Sequence, residues 1–272
     1  MHCAPSTAHF LRKPPVQDVQ NRKDDRQIPI DKVGVKNIRY PIVVLDPMNE
    51  IQHTVASINM YVNLPHEFKG THMSRFIEVL NKRHGQIGLN NFLAILDELK
   101  NALSAQAAHV ELEFPYFIQK RAPVSGEESL MEYRLRYQGE VNGGRRKFLV
   151  GVTVPVTTLC PCSKEMSDHG AHNQRGEVSV LLRFNKFFWI EEVIRMVEEC
   201  ASAPVYALLK REDEKALTER AYENPMFVED IVREVTRKLI AHGNFPWFKV
   251  EAENFESIHN HSAYAEVEWG SP

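Results

Sequence analysis

The sequence predicts an α+β protein made of antiparallel hairpins with helices on one face of the sheet. Three observations lead there. Strand-like alternation sets Val55, Ser57, Asn59, Tyr61 and Asn63 against Ala56, Ile58, Met60, Val62 and Leu64. Helical spacing follows, with Phe92, Leu93, Leu96, Leu99 and Leu103 on one face. The order strand–strand–helix–helix–strand–strand then recurs after Gly143-Gly144, with no obvious sequence identity between the halves. The chain accordingly divides into an extended N-terminal arm over 1–40, a first module over 41–143 and a second over 144–272.

The arm is polar and broken by prolines, and its basic residues (Arg12, Lys13, Arg22, Lys23, Arg26) outnumber its acids. Such a segment is either solvated or packed on a neighbouring subunit. Strands are expected over 42–46 and 55–64, with a turn at Pro47-Met48-Asn49. Helices are expected over 72–81, where Met73, Phe76, Ile77 and Leu80 share a face, and over 89–103, with Gly85 and Gly88 between them. Strands over 109–119 and 130–139 flank a turn at 123–126. In the second half, strands over 148–156 and 178–184 enclose a Cys/His segment. An amphipathic helix over 189–199 is linked by a charged stretch, 210–223, to a helix over 226–241 that Pro225 opens and Gly243 stops. Strands over 248–253 and 263–269 close the chain.

At 272 residues the chain can bury a proper core in one large or two ordinary domains. Hydrophobic content of 43% and charged content of 25% fit a globular protein in water. A net charge of −3 gives no global signal for nucleic acid or an anionic membrane, so a polyanionic ligand needs a local basic site. No run approaches the roughly 20 apolar residues of a membrane helix, and the N-terminus lacks the apolar core of a secretory signal. Four cysteines (Cys3, Cys160, Cys162, Cys200) are few for a disulfide scaffold, so a reducing cytoplasm is expected.

The chemistry concentrates in Thr157-Thr158-Leu159-Cys160-Pro161-Cys162-Ser163-Lys164-Glu165 and the following His169-Gly170-Ala171-His172-Asn173-Gln174-Arg175. Thiolates and imidazoles in one segment suit a soft or borderline metal, and a thiol beside a metal is a nucleophile or proton donor. Pro161 biases Cys160 toward extended geometry, and extended residues two apart point to one side, so Cys160 and Cys162 are expected to face one site. No second close cysteine pair exists to complete a structural zinc site, which favours a site with an open coordination position. Either His169 or His172 could ligate.

Four weaker signals stand beside this segment. His259-Asn260-His261, after Phe255-Glu256-Ser257-Ile258, reads as an exposed turn or a source of a general acid/base. Glu229, near the start of the 226–241 helix, complements the helix dipole or meets a ligand. The run Lys210-Arg211-Glu212-Asp213-Glu214-Lys215 is a solvated face or the donor of one carboxylate. Gly70-Thr71-His72-Met73-Ser74-Arg75 opens a helix with groups that can hold phosphate.

Asp18-Val19-Gln20, Asp24-Asp25-Arg26, Val33-Gly34-Val35, Gln52-His53-Thr54, Leu64-Pro65-His66, the Gly70–Arg75 run and above all the Cys160–Arg175 run resemble GTP cyclohydrolase type IB, the prokaryotic enzyme that opens GTP on the way to folate. The resemblance runs from about residue 18 to the C-terminus. It implies a tunnelling fold of two tandem ββααββ modules, a homotetramer assembled as barrels, and active sites at subunit interfaces. It also implies hydrolysis at guanine C8, release of formate, and rearrangement to 7,8-dihydroneopterin triphosphate. By position, Cys160 and His172 match the family's metal ligands, with Glu214 as the third and Glu212 and Asp213 leaving that register open. Cys162 matches the second active-site cysteine, Glu229 the carboxylate anchoring the guanine edge, and His259 and Glu256 polar groups near the reacting centre. Lys69 or Arg75 would hold the triphosphate. The metal implied is a divalent transition ion, Mn²⁺, Zn²⁺ or Fe²⁺.

Two rival readings remain at this point. One is another tunnelling-fold enzyme that uses a cysteine on a deazaguanine nitrile with a nicotinamide cofactor. The other is a non-catalytic oligomer held together by a Cys/His metal site.

Overall fold

A computed structural model describes residues 20, 22–83, 87–88 and 91–271. Half of the expected arm (1–19 and 21) and Gly85 lie outside those residues. β1 (Ile30–Asp46) and β2 (Glu50–Leu64) form a long hairpin, followed by α1 (Met73–Lys82) and α2 (Phe92–Ala102) and by the hairpin of β3 (Ala107–Arg121) and β4 (Glu128–Asn142). The second half opens with β5 (Arg145–Leu159), a short α3 (Pro161–Met166) and β6 (Asn173–Arg183). Then come α4 (Ile190–Glu198), the two-residue β7 (Ala203–Pro204), α5 (Arg211–Glu223), α6 (Val228–His242) and the hairpin of β8 (Trp247–Asn254) and β9 (Ala263–Gly270).

The strands join one antiparallel sheet in the order β1-β2-β3-β4-β5-β6-β8-β9, with β7 added beside β5. Alternation decides its faces. Ala56, Ile58, Met60 and Val62 of β2, and Val178, Val180 and Leu182 of β6, are buried. They pack with Phe76 and Leu80 of α1, Phe92 and Leu96 of α2, Val193 and Val197 of α4, and Ile231, Val235 and Leu239 of α6 in one cluster spanning both halves. Each of these side chains larger than alanine contributes roughly 1.5–3 kcal/mol on burial. The other face is polar and laced across strands: Arg136 donates to Glu113 at 3.0 Å, Arg134 to Glu177 at 3.1 Å, and Thr153 meets Ser179 at 2.9 Å. The helices thus cover one face only.

Three elements depart from expectation. β1 starts at Ile30, so residues 30–40, expected in the arm, lie in the sheet. Its first half is exposed or half-buried, so no apolar alternation marks it. α5 replaces the expected charged linker; it buries only Asp213 and Ala221 and carries no apolar stripe. α3 replaces the expected loop after Cys160; it has six residues and buries none.

Because every pairing is antiparallel, the β1–β2, β3–β4, β5–β6 and β8–β9 connections all fall at one end of the sheet. The β2–α1 connection falls at the other. β2 alone has 15 residues, about 50 Å at ~3.3 Å per residue.

Candidate functional site

β5 ends at Leu159, and Cys160 (φ −69°, ψ 118°) keeps the extended geometry that a following proline requires. Pro161 then takes the first position of α3, where its missing N–H costs nothing. Cys160 is therefore the N-cap, its Sγ accepting from Ser163 N–H at 3.4 Å. Cys162 lies in the first helical turn, so the expectation of two extended residues pointing one way does not hold. Cys160 is half-buried and Cys162 exposed.

The chain returns at His172, whose carbonyl accepts from Cys160 N–H at 3.1 Å and whose own N–H donates to Ser163 Oγ at 3.2 Å. These bonds hold the imidazole beside the cysteine cap. The ring itself is held by β6: Nδ1 lies 3.0 Å from Gln174 Oε1, and Gln174 Nε2 donates to Thr158 Oγ1 at 2.8 Å. Thr158 and Gln174 are direct cross-strand partners on β5 and β6, both buried.

The β8–β9 connection supplies the third side. Phe255 N–H donates to Arg175 O at 2.9 Å, carrying the β6–β8 ladder one step further. That step brings Glu256 Oε2 to 4.0 Å and Ser257 Oγ to 3.4 Å from His172 Nδ1. The His172 and Glu256 side chains are 15% and 13% exposed. His259 is exposed at the rim, its ring stacked on His261 with centroids 5.1 Å apart.

The sequence-derived residues therefore separate into three groups. Cys160, His172 and Glu256 come together, with Cys162 and His259 on the same pair of connections. Glu229 is exposed in the first turn of α6. The start of that helix is tied to the site because Met226 N–H donates to Leu159 O at 3.1 Å. Glu214 is exposed in the first turn of α5. Its neighbour Asp213 is fully buried and accepts from Val124 N, Ser125 N, Ser125 Oγ and Lys210 N at 2.6–2.9 Å. Burial alone would raise that carboxyl's pKa, but the hydrogen bonds outweigh it and hold the pKa below the usual range. Asp213 is thereby consumed in joining α5 to the β3–β4 turn.

Arg75 is not brought to this site within one chain. It stands at the start of α1, at the opposite end of the sheet, and donates to Ala102 O at the end of α2 at 3.1 Å. There it lines a cavity of about 320 Å³ with Asn63, Gly70, Thr71 and His72.

A thiol, an imidazole and a carboxylate form a donor set suited to a divalent transition metal. Gln174 Oε1 stands 3.0 Å from Nδ1 of His172, on the inner side of the ring. Among the described residues no three His, Cys, Asp or Glu side chains already stand in ligating geometry. Ion capture would thus turn these side chains inward. Gln174 carries no signal of this role in the sequence, because its pairing with Thr158 depends on strand register.

A family model described as type I GTP cyclohydrolase folE2 matches residues 16–265. The chain is 62% identical over 254 residues to GTP cyclohydrolase FolE2 of Syntrophotalea carbinolica, covering 93% of this chain and 95% of that one. It is 60% identical over 251 residues to GTP cyclohydrolase FolE2 of Geobacter sulfurreducens, covering 92% and 97%. Among solved structures, uricase from Arthrobacter globiformis superimposes with a TM-score of 0.52 at 11% identity, covering 89% of this chain and 93% of that one. Urate oxidase from Bacillus sp. TB-90 gives 0.51 at 7% identity, covering 89% and 100%. At such identities the likeness is one of fold, the tunnelling fold.

Proposed function

The chain belongs to the type I GTP cyclohydrolase FolE2 family and is a GTP cyclohydrolase, and from that premise we propose how its own residues carry the reaction. The substrate is GTP, opened at guanine C8 to give formate and 7,8-dihydroneopterin triphosphate, the entry step of folate biosynthesis. The observation that carries the assignment of the site is the meeting of the β5–β6 and β8–β9 connections, where Cys160, His172 and Glu256 gather.

Cys160 and His172 hold a divalent metal, with a carboxylate as the third ligand. Glu256 is the carboxylate already beside His172; Glu214 becomes the alternative if α5 approaches on metal loading or from a second copy. Held there, a divalent metal would supply Lewis acidity, which brings the ionisation of water toward neutral pH. The protein groups do the remainder. Glu229, exposed with two acceptor oxygens, receives the N1–H and 2-amino hydrogens of guanine and fixes C8 relative to the thiols. Cys162 and His259 stand outside the ligand set and move protons as the imidazole ring of the substrate opens and formate leaves.

Arg75 and Lys69 can hold the triphosphate only from a second copy, since in one chain Arg75 is at the far end of the sheet. β1 and β9 are the two edges of the sheet among the described residues. Edge pairing between copies gives the barrel of a homotetramer and places sites between subunits. The thiols of Cys160, Cys162 and Cys200 are unbridged, in keeping with a cytoplasmic enzyme.

The test is formate release from GTP by the metal-stripped protein reloaded with Mn²⁺, Zn²⁺, Fe²⁺ or Mg²⁺ in turn. Activity should return with at least one transition ion. Cys160→Ala and Cys162→Ala should each abolish turnover while the oligomer persists, with metal lost only from Cys160→Ala. Near-normal turnover in either variant would sink the assignment, and dissociation of the stripped protein would point to a structural metal.

A further inference from the structure

The hydrogen-bonded chain behind His172 does more than fill space. Thr158 is fully buried and Gln174 is 7% exposed, and they face each other across the β5–β6 ladder. A buried primary amide has one acceptor and two donors to place, and the Thr158 hydroxyl, donor and acceptor in one, can meet either end, so what matters is which end faces His172. Here the nitrogen end lies 2.8 Å from Thr158 Oγ1, and the oxygen end lies 3.0 Å from His172 Nδ1. An oxygen at that distance from a ring nitrogen demands a proton between them.

We propose that Gln174 is a positioning residue for the reaction centre: anchored on Thr158, it keeps the proton of His172 on Nδ1 and leaves Nε2 as the ligating atom. The inference rests on the reading of His172 as a metal ligand and deepens it by naming the nitrogen. Ser257 Oγ, 3.4 Å from the same Nδ1, is a hydroxyl that adapts to either tautomer, so it does not decide the matter. Glu256, at 4.0 Å, is beyond hydrogen-bond distance of the ring. Gln174 is thus the group that selects.

The placement has a backbone cause. Cys160 N–H to His172 O closes the β5–β6 connection one step beyond the Leu159–Asn173 pair. The ligand histidine therefore sits two residues from Gln174, at the strand's first turn into the loop. Any register slip of β6 against β5 would separate the amide from Thr158.

The experiment uses the full chain, labelled with ¹⁵N at histidine, and the two-bond ¹⁵N–¹H spectrum of the metal-free protein. The His172 signals are identified by their loss in His172→Gln. Expected is the Nδ1–H pattern in the wild type, its loss in Gln174→Leu, and its retention in Gln174→Glu, whose carboxylate also accepts from Nδ1–H. Zinc binding, read by competition with a chromophoric chelator, should weaken about 10–100-fold in Gln174→Leu. It should recover in Gln174→Glu, and Thr158→Val should fall between the two. An Nε2–H pattern in the wild type, the outcome of an amide turned the other way, would overturn the proposal. So would zinc affinity in a folded Gln174→Leu equal to that of the wild type. If instead His172→Gln binds zinc as tightly as wild type, the ligand reading fails, and the tautomer pattern alone then judges Gln174.

Discussion

At the scale of single residues, polar groups held inside the molecule separate those that build the fold from those that face the chemistry. Lys120 of β3 donates to Glu198 Oε1 of α4 at 2.6 Å and to Val205 O at 2.8 Å, with the Tyr206 ring 4.2 Å from its ammonium. Tyr133 donates to the same carboxylate oxygen at 2.7 Å. Burial pushes the lysine's pKa down, and Glu198 opposes that shift. The side chains are 12% and 15% exposed, so removing one partner strands a charge in the interior. Lys120→Met should cost about 3–5 kcal/mol, and the double variant with Glu198→Leu should recover much of it. Urea titration at fixed protein concentration measures both; a loss below about 1 kcal/mol, the range of exposed pairs, would show that the pair is not desolvated. None of this network is legible in sequence, where Lys120 is one cation among many. The Cys/His motif is the contrary case. Cys160, Cys162 and His172 stand out because their residue types are costly to cluster without a ligand, whereas Glu256, singled out in the sequence only by resemblance, is tied to the site by its approach to His172.

At the scale of elements, periodicity revealed what packs on apolar neighbours and missed what does not. β2, α1, α2, α4 and α6 all bury a repeating apolar face, and their expected spans lie within a few residues of the observed ones. α5 and α3 bury almost nothing apolar, so the pattern that marks a helix was absent from both. β1 was truncated for the same reason, since an edge strand half in solvent needs no alternation. The β6–β8 junction shows how backbone contact sets the site. A Cβ on Gly176 would lie 2.6 Å from Asn254 Oδ1 and 2.9 Å from Glu253 O, and Asn254 is buried immediately before the turn to Glu256. Gly176→Ala must push β8 away from β6 just where Phe255 bonds to Arg175. The expected result is a folded protein with metal affinity reduced about tenfold, the lower end for disturbed ligand surroundings. Zinc competition set against the thermal midpoint checks it. Unchanged affinity would remove Glu256 from the ligand set or show that the junction yields without moving it.

At the scale of the whole molecule, an open eight-strand path with one polar face and, among the described residues, two unpaired edges poses a problem that pairing between copies would solve. Exposed edges invite pairing, and closed barrels abolish them. Ile30 at the start of β1 and Ile28 just before it are exposed, and β9 leaves Tyr264 and Trp269 about half exposed. Their directions suit each other: β1 and β9 run oppositely in the sheet, so a second copy with the same orientation offers β9 to β1 as one more antiparallel neighbour. A proline scan of β9 tests this closure. In an edge strand, alternate N–H groups point into the ladder and out to the free edge, and proline is tolerated only where the N–H points out. Of Ala265→Pro and Glu266→Pro, one should break the β8–β9 ladder and destabilise the fold. The other should leave the fold intact by circular dichroism while sedimentation shows the assembly reduced to smaller species. The dissociated variant should lose turnover without losing Cys160 or His172, because groups such as Arg75 at the far end of the sheet can serve a site only through another copy. If both variants keep the full assembly, β9 is not the closing edge; if the dissociated one keeps turning over GTP, the site is complete in one chain.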